Sequence, residues 1–352
     1  MTDPQNRAKG GMMEERTLYC GIDVSKASLD CALTVDGKKV LASKKVANTP
    51  GGFATLTRWF HGYREKKGCN RIHLCIESTG RYSASVAEYF EEQEGIWVSV
   101  VNPSLPRAFG KSLLLRTKTD AVSALLLAFY VATVKPEPNP RISPELKELR
   151  SLVRHLEYLI SRRGEEKSHL ESVVHEAVAA SIREIIGQYD RQIEETQAKI
   201  SSHIDQNPSL KEKVDLLTSI PGIASMTAQL LICELHGENG RGLLSAKRQT
   251  AHAGLAPRMR ESGSSVHGKP HICKIGSKRL RKCLYLPAVV AIRYNPLVRS
   301  FYHRLREKGK PKMVALAACM RKLLVIAVGV LNNKTPFDEQ WVPKLREAKQ
   351  NV

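Results

Sequence analysis

Three carboxylates stand where chemistry could use them. Asp23 closes the run Leu18-Tyr19-Cys20-Gly21-Ile22, Glu77 closes Ile72-His73-Leu74-Cys75-Ile76, and Asp120 lies in Lys118-Thr119-Asp120 at the start of an apolar helical stretch. Acids brought to one place by separate elements repel one another unless a cation lies between them. Two Mg²⁺ ions about 3.5–4 Å apart can use such a cluster to activate a nucleophile and stabilise a leaving phosphate oxygen. A single acid closing a strand is more often a turn residue; three of them in a strand-rich domain suggest a metal site. No G-x-x-x-x-G-K-[ST] run is present, so a P-loop is discounted.

A second candidate is the run Arg258-Met259-Arg260-Glu261-Ser262-Gly263-Ser264-Ser265, small, flexible in composition and flanked by basic residues. A serine that attacks a phosphodiester must lose its proton and needs cations against the charge that builds on phosphorus. Arg258, Arg260 and metal at the acidic cluster could supply both. Chemistry alone does not prefer Ser262 over Ser264 or Ser265, and an ordinary Ser/Gly loop looks the same. His267, His271 and Cys273 lack the second Cys pair that a zinc finger needs.

These groups belong to a chain of 352 residues with 55 Lys+Arg against 35 Asp+Glu, a formal charge of +20. The charge is concentrated: residues 251–330 hold 17 Lys+Arg and two acids, Glu261 and Glu307, for 17 − 2 = +15. A phosphate polymer is the natural partner of such a surface, because neutralised phosphates release their counterions. Lys118, Arg258, Arg260, Lys269, Lys274, Lys278, Arg279, Arg281 and Lys282 are the expected backbone contacts, positioning nucleic acid without specifying its sequence. Eight scattered Cys, never C-x-x-C, suit buried reduced thiols. Met1 to Arg16 is polar and reads as no secretion signal. The longest uninterrupted apolar stretch, Leu125 to Val134, is too short to span a membrane, so no membrane partner is expected.

The positioning elements follow from pattern. Residues 17–46 read as three short strands with a turn at Asp36-Gly37, the last running from Lys39 to Val46. Thr49-Pro50 opens a helix with Phe53, Leu56, Trp59 and Phe60 on one face; strand 72–77, a helix over 83–94 and strand 96–101 follow. That order is α/β. From Ser143, an N-cap with Pro144 after it, Leu149, Val153, Leu156 and Ile160 take a/d spacing, resumed from Ile182 to Ile204. An Ala-rich middle around His175 to Ser181 suggests the turn of an antiparallel helical hairpin. Leu216 to Leu235 then reads helix, Ile220-Pro221-Gly222-Ile223, helix. This resembles a helix-hairpin-helix, whose glycine-turn N–H groups, with Gly222 at their centre, can hold a phosphate.

Taken jointly, Gly21-Ile22-Asp23, Ile76-Glu77-Ser78-Thr79-Gly80, Val101-Asn102-Pro103, Lys118-Thr119-Asp120, Ser219-Ile220-Pro221-Gly222-Ile223, Ala253-Gly254-Leu255-Ala256-Pro257 and Glu261-Ser262-Gly263-Ser264-Ser265 are specific. Over nearly the whole chain they resemble the DEDD-type insertion-sequence transposases of the IS-one-ten family, which includes pilin-gene invertases. The resemblance implies an RNase H-like (RuvC-like) domain over 17–142, a coiled-coil helical hairpin over 143–207 and a helical C-terminal transposase domain over 208–340. It implies DNA strand exchange by a bacterial cytoplasmic, nucleoid-associated homo-oligomer, a dimer or tetramer acting on donor and target DNA. It further implies Mg²⁺ at the acids, Ser262 as covalent nucleophile and guidance by a bridge RNA. The pattern departs at one place. A fourth acid is expected three residues after Asp120, one helical turn on, and this chain has Ser123. A hydroxyl can orient a metal-bound water but brings no charge, so one metal position should be weak. Three readings of that change stay open: a working enzyme with fewer charges, a natural inactive or domesticated copy, or an introduced substitution. Beside the recombinase, the alternatives in function are a nucleic-acid-binding relative without catalysis, which Ser123 supports, and a metal-dependent nuclease, which the acids alone allow.

Overall fold

The computed structural model describes residues 16–78, 81–113, 119–140, 142–235, 245–262 and 266–339, without the side chains of Arg81 and of 259–270. Lys118 therefore lies outside the described residues, as do the side chains of Arg260, Ser262 and Lys269. The chain divides into two compact units, Met1–Arg141 and Ile142–Val352.

In the first unit the elements run β1 (Thr17–Val24), β2 (Ser28–Thr34), β3 (Ala42–Ala47), α1 (Pro50–Lys66), β4 (Arg71–Glu77), α2 (Arg81–Glu91), β5 (Ile96–Val101), α3 (Ser104–Ser112) and α4 (Asp120–Val134). The strands form one mixed sheet in the order β3-β2-β1-β4-β5, with β1, β4 and β5 parallel and β2 antiparallel to both neighbours. The α/β order read from sequence is the order found, with α3 as an unanticipated addition. The hairpin connection is longer than the Asp36-Gly37 signal suggested. β3 begins at Ala42, because Asp36 accepts the N–H groups of Lys38 and Lys39 and so holds those residues in a turn.

Alternation along the strands separates two cores. Leu18, Cys20, Ile22, Leu29, Leu33, Ile72, Leu74 and Ile76 pack with Phe53, Leu56 and Phe60 of α1 and Phe90 of α2. On the opposite face Ala32, Cys75 and Val101 meet Ala124, Leu127, Ala128 and Val131 of α4. The apolarity of α4 is thus that of a helix laid across a buried sheet. Gly21 sets how closely it lies: a Cβ there would stand 2.1 Å from the Ala124 carbonyl oxygen and 2.4 Å from the Ala128 nitrogen.

The second unit is helical apart from one hairpin: α5 (Pro144–Leu170), α6 (Glu176–Gln206), α7 (Pro208–Thr218), α8 (Ser225–Glu234), α9 (Ala246–His252), β6 (Pro257–Ser262), β7 (Val266–Ile272), α10 (Lys278–Tyr294), α11 (Pro296–Glu307) and α12 (Lys312–Asn333). Ser143 caps α5 by accepting the Leu146 N–H. α5 and α6 run antiparallel, with Arg163 reaching Asp190 and His203 reaching the Glu145 carbonyl. The reversal lies at Ser172–His175, before the Ala-rich run. Those alanines start α6, as befits the best helix former. Leu149, Val153, Leu156 and Leu159 of α5 share one core with Ile200 and Ile204 of α6, Leu231 of α8, Leu284 of α10 and Leu323 of α12.

α12 corrects the survey of apolar runs. Among the described residues it is the one helix whose length and composition would suit a membrane span. Arg321 and Lys322 interrupt the run in sequence without lowering the average enough to fail that test. Its Ala315, Cys319, Leu323, Leu324 and Ala327 are wholly buried among the other helices, as in a core helix of a water-soluble fold.

Candidate active site

The acids gather where β1 and β4 end. Gly21 pairs with Cys75 and Ile22 with Ile76, so the parallel register carried one residue further sets Asp23 beside Glu77. By alternation both point to the α4 face. Thr119 caps α4 by accepting the Val122 N–H, which places Asp120 in its first turn, and the contact of Gly21 with Ala124 and Ala128 holds the following turns against β1. Ser123 is half-buried one turn on, its N–H bonded to the Thr119 carbonyl at 2.8 Å.

The electrostatics record this gathering. Burial and, after it, the charges of Asp120, Glu77 and Asp30 push the Asp23 carboxyl up to about 6, against one lowering hydrogen bond from the Val24 N–H. Asp30 escaped the sequence reading. It is the cross-strand partner of Asp23 in the β1–β2 pair and of Lys45 in the β2–β3 pair, and the Lys45 ammonium lies 3.0 Å from its carboxylate. The available signal was its spacing seven residues after Asp23 across a tight connection. Arg107 of α3 also escaped notice; its guanidinium is 3.6 Å from Glu77 Oε1.

A divalent cation suits this donor set, since burial first and the neighbouring carboxylates after it disfavour the charge on Asp23, and a cation would relieve both. The side chains are not drawn into a closed cage: among the described residues, no three His, Cys, Asp or Glu are close enough to share one ion.

Behind the sheet face, His73 is buried with its Nε2 2.8 Å from Ser99 Oγ, and burial lowers it to about 4, keeping the imidazole neutral. All eight cysteines are unpaired, six of them buried.

In the second unit, Ser262 ends β6 and pairs with Val266 of β7. The segment read as a flexible loop is therefore β-strand up to that residue, the serine being the last position of β6; Gly263, Ser264 and Ser265 lie outside the described residues. Gly222 takes φ +106°, and its Cα abuts α10, where a Cβ would meet Ala291 and the Pro287 carbonyl. That close packing explains the glycine without a ligand.

The cations of 274–282 divide. Arg279 pairs with Glu157 of α5 at 2.8 Å and Glu234 of α8 at 3.2 Å, and Arg281 donates to the Ala253 carbonyl at 2.9 Å. Both fasten α10 to its neighbours. Lys274, Lys278, Lys282 and, earlier, Arg258 are exposed.

Known proteins resemble this chain over most of its length. Residues 20–179 match a transposase family of the DEDD IS110 type, and residues 214–303 match the transposase IS116/IS110/IS902 family. The pilin gene-inverting protein of Moraxella bovis is 33% identical over 331 residues, covering 92% of this chain and 98% of that protein. Its Moraxella lacunata counterpart is 33% identical over 332 residues with the same coverage. A 43.6 kDa protein of insertion element IS110 from Streptomyces coelicolor is 30% identical over 125 residues, 36% of this chain and 30% of its own.

Proposed function

Because the chain belongs to the IS110 family of transposases, we propose that it catalyses site-specific DNA strand exchange, with Ser262 as nucleophile and the acids around Asp23 as the cation-binding centre. What supports this reading is the parallel register that sets Asp23 beside Glu77, together with the charges of Asp120 and Glu77, which after burial help raise the Asp23 carboxyl to about 6. The strand order 3-2-1-4-5 with an antiparallel second strand supports an RNase H-like first domain.

Asp23, Glu77 and Asp120, with the Ser123 hydroxyl, would hold Mg²⁺. When bound, the metal supplies positive charge against the oxyanion that develops on a phosphodiester. Arg107 steadies Glu77. Ser262 Oγ attacks phosphorus, losing its proton to a carboxylate or water; a serine–phosphate bond forms as a DNA strand oxygen leaves, and the bond is retained for rejoining to a new strand. Donor and target DNA are the substrates, a bridge RNA selects them, and the working form is a dimer or tetramer.

The test incubates the protein with labelled donor and target DNA, RNA from the flanks of its own element, and Mg²⁺. Joined products with a protein–DNA adduct are expected, and Ser262→Ala should abolish the adduct while leaving DNA binding in place. An adduct persisting in that variant would overturn the assignment. Ser123 favours a second reading, a relative that binds nucleic acid without catalysis; it predicts DNA retention with neither adduct nor product. Simple cuts without adduct would mark a nuclease.

A further inference from the structure

The residues from Arg293 to Lys312, which span the end of α10, all of α11 and the turn into α12, carry seven Lys or Arg and one acid, Glu307. Sequence reading placed the nucleic-acid contacts upstream, the densest run of them at 274–282, where Arg279 and Arg281 are now committed to internal contacts. The downstream cations are not so committed. Among the described residues none of the seven has a carboxylate partner; Arg299 and Arg306 touch only backbone carbonyls, of Arg293 and Lys310, and Arg304 lies over the Phe301 ring. The helical hairpin shows what a plain solvated face of this chain looks like. There cations alternate with acids and pair with them: Arg162 with Glu165, Arg163 with Asp190, Arg183 with Glu176. A face with seven cations against one acid is held against its own repulsion, which polyanion binding relieves.

The face is also rigidly mounted. α11 buries Val298 and packs Leu297, Phe301 and Tyr302 on the core, which leaves Arg299 and Arg304 on its exposed side and Lys308 and Lys310 just beyond its end. Asn295, fully buried, caps α11 by accepting the Leu297 and Val298 N–H groups and donates to the Pro221 carbonyl. The helix is thereby tied to the Pro221-Gly222 turn. Cations fixed on a capped helix lose little freedom on meeting phosphates. Asn and Gln, the side chains suited to reading adenine edges, are absent from its exposed side, so contact with the backbone of a duplex is favoured over base readout.

We infer that the exposed face of α11 with its flanks, centred on Arg299, Arg304, Lys308 and Lys310, is a docking surface for the phosphate backbone of duplex DNA, and that it carries more of the unit's DNA affinity than Lys274, Lys278 and Lys282. The inference rests on the DNA-recombinase reading. Its test measures binding of the full chain to a fluorescent 30-base-pair duplex of arbitrary sequence, by anisotropy across a KCl series. Arg299→Gln/Arg304→Gln/Lys308→Gln should weaken binding by about tenfold or more and make the log–log salt slope shallower by about 2–3, as roughly 0.9 per lost phosphate contact requires. Lys274→Gln/Lys278→Gln/Lys282→Gln should lose less, and Arg299→Lys/Arg304→Lys should bind like the parent, since charge and not guanidinium shape is used. Unchanged affinity and slope in the α11 triple variant, a larger loss in the upstream one, or a loss confined to a single-stranded or structured RNA probe would each overturn the inference while leaving the recombinase reading standing. A parent chain that fails to bind duplex at all would overturn both.

Discussion

Asp30 stands directly across from Asp23 in the β1–β2 pair, and Lys45 stands directly across from Asp30 in the next. The row runs cation, acid, acid, and ends at Glu77 one strand further on. Like charges directly opposite one another destabilise a strand pair, and Lys45 partly offsets that cost for Asp30. Of the charges acting on Asp23, that of Asp120 is the largest, then Glu77, then Asp30. Removing them singly should lower the Asp23 carboxyl from about 6 in that order, Asp120→Asn more than Asp30→Asn. Carboxyl ¹³C NMR titration reads this directly, and an unmoved Asp23 in Asp120→Asn would show that α4 does not bring its acid to the strand end.

Gly21 decides whether α4 can be there at all. An added methyl would meet the Ala124 and Ala128 backbone, which cannot swing aside as a side-chain end could. Gly21→Ala should cost about 3 kcal/mol in urea unfolding, and it should weaken Mn²⁺ binding even where the protein stays folded, because Asp120 moves with the helix. A variant as stable as the parent would disprove the close approach.

Much of this was legible in sequence because it is local. Thr49-Pro50, Thr119 and Ser143 each announce a helix start, and the apolar runs ending in Asp23 and Glu77 announce strands. Asp30 was not legible. It lies within a strand rather than at an end, and only the antiparallel register turns its seven-residue separation into a cross-strand pair. Arg279 and Arg281 misled for a related reason. A run of cations shows its charge but not its partners, and Glu157 and Glu234 come from helices 122 and 45 residues away (279 − 157 and 279 − 234). The pairing of β6 with β7 was hidden by the Ser/Gly-rich sequence between them, whose composition reads as a loop although the flanking residues pair.

Ser123 is the position at which the cluster can be completed. It sits one turn after Asp120 on the same side of α4. Ser123→Asp should tighten Mn²⁺ binding, read by calorimetry, and should raise the Asp23 carboxyl further in the metal-free protein. Strand-exchange activity should rise with it at limiting Mg²⁺. Equal metal affinity and equal activity in the two proteins would show the fourth carboxylate to be dispensable.

Arg279 supplies a contrast with the exposed lysines beside it. Burial raises the Glu157 carboxyl, while for Glu234 burial is overcome by hydrogen bonds from Ser277 and Arg279, so its carboxyl ends below the usual range. Removing the guanidinium strands two partly buried acids. Arg279→Gln should cost about 2–3 kcal/mol in thermal or urea unfolding, whereas Lys278→Gln should change stability by less than about 0.5 kcal/mol. Equal effects would return Arg279 to the list of nucleic-acid contacts.

His73 and Asp23 should pull the acid stability of the first unit in opposite directions. His73 falls from 6.5 to about 4 through burial, so the unfolded chain takes up its proton first; the neutral, buried ring contributes fully above 6.5, and that contribution is lost as pH falls toward 4. Asp23 rises from 3.8 to about 6, so the folded chain takes up its proton first, and the penalty of its buried charge is relieved over the window from 6 down to about 4. In the parent the two partly cancel. His73→Gln, which keeps a partner for Ser99 but cannot titrate, removes one arm: from pH 7 to pH 5 the parent should lose about 2 kcal/mol relative to the variant, as a shift of that size implies. The variant itself should then gain stability on acidification, and adding Asp23→Asn should flatten that gain. A parent-minus-variant difference that stays constant between pH 7 and 5 would mean that His73 takes up its proton as readily in the folded protein as in the unfolded chain and that burial does not keep the ring neutral.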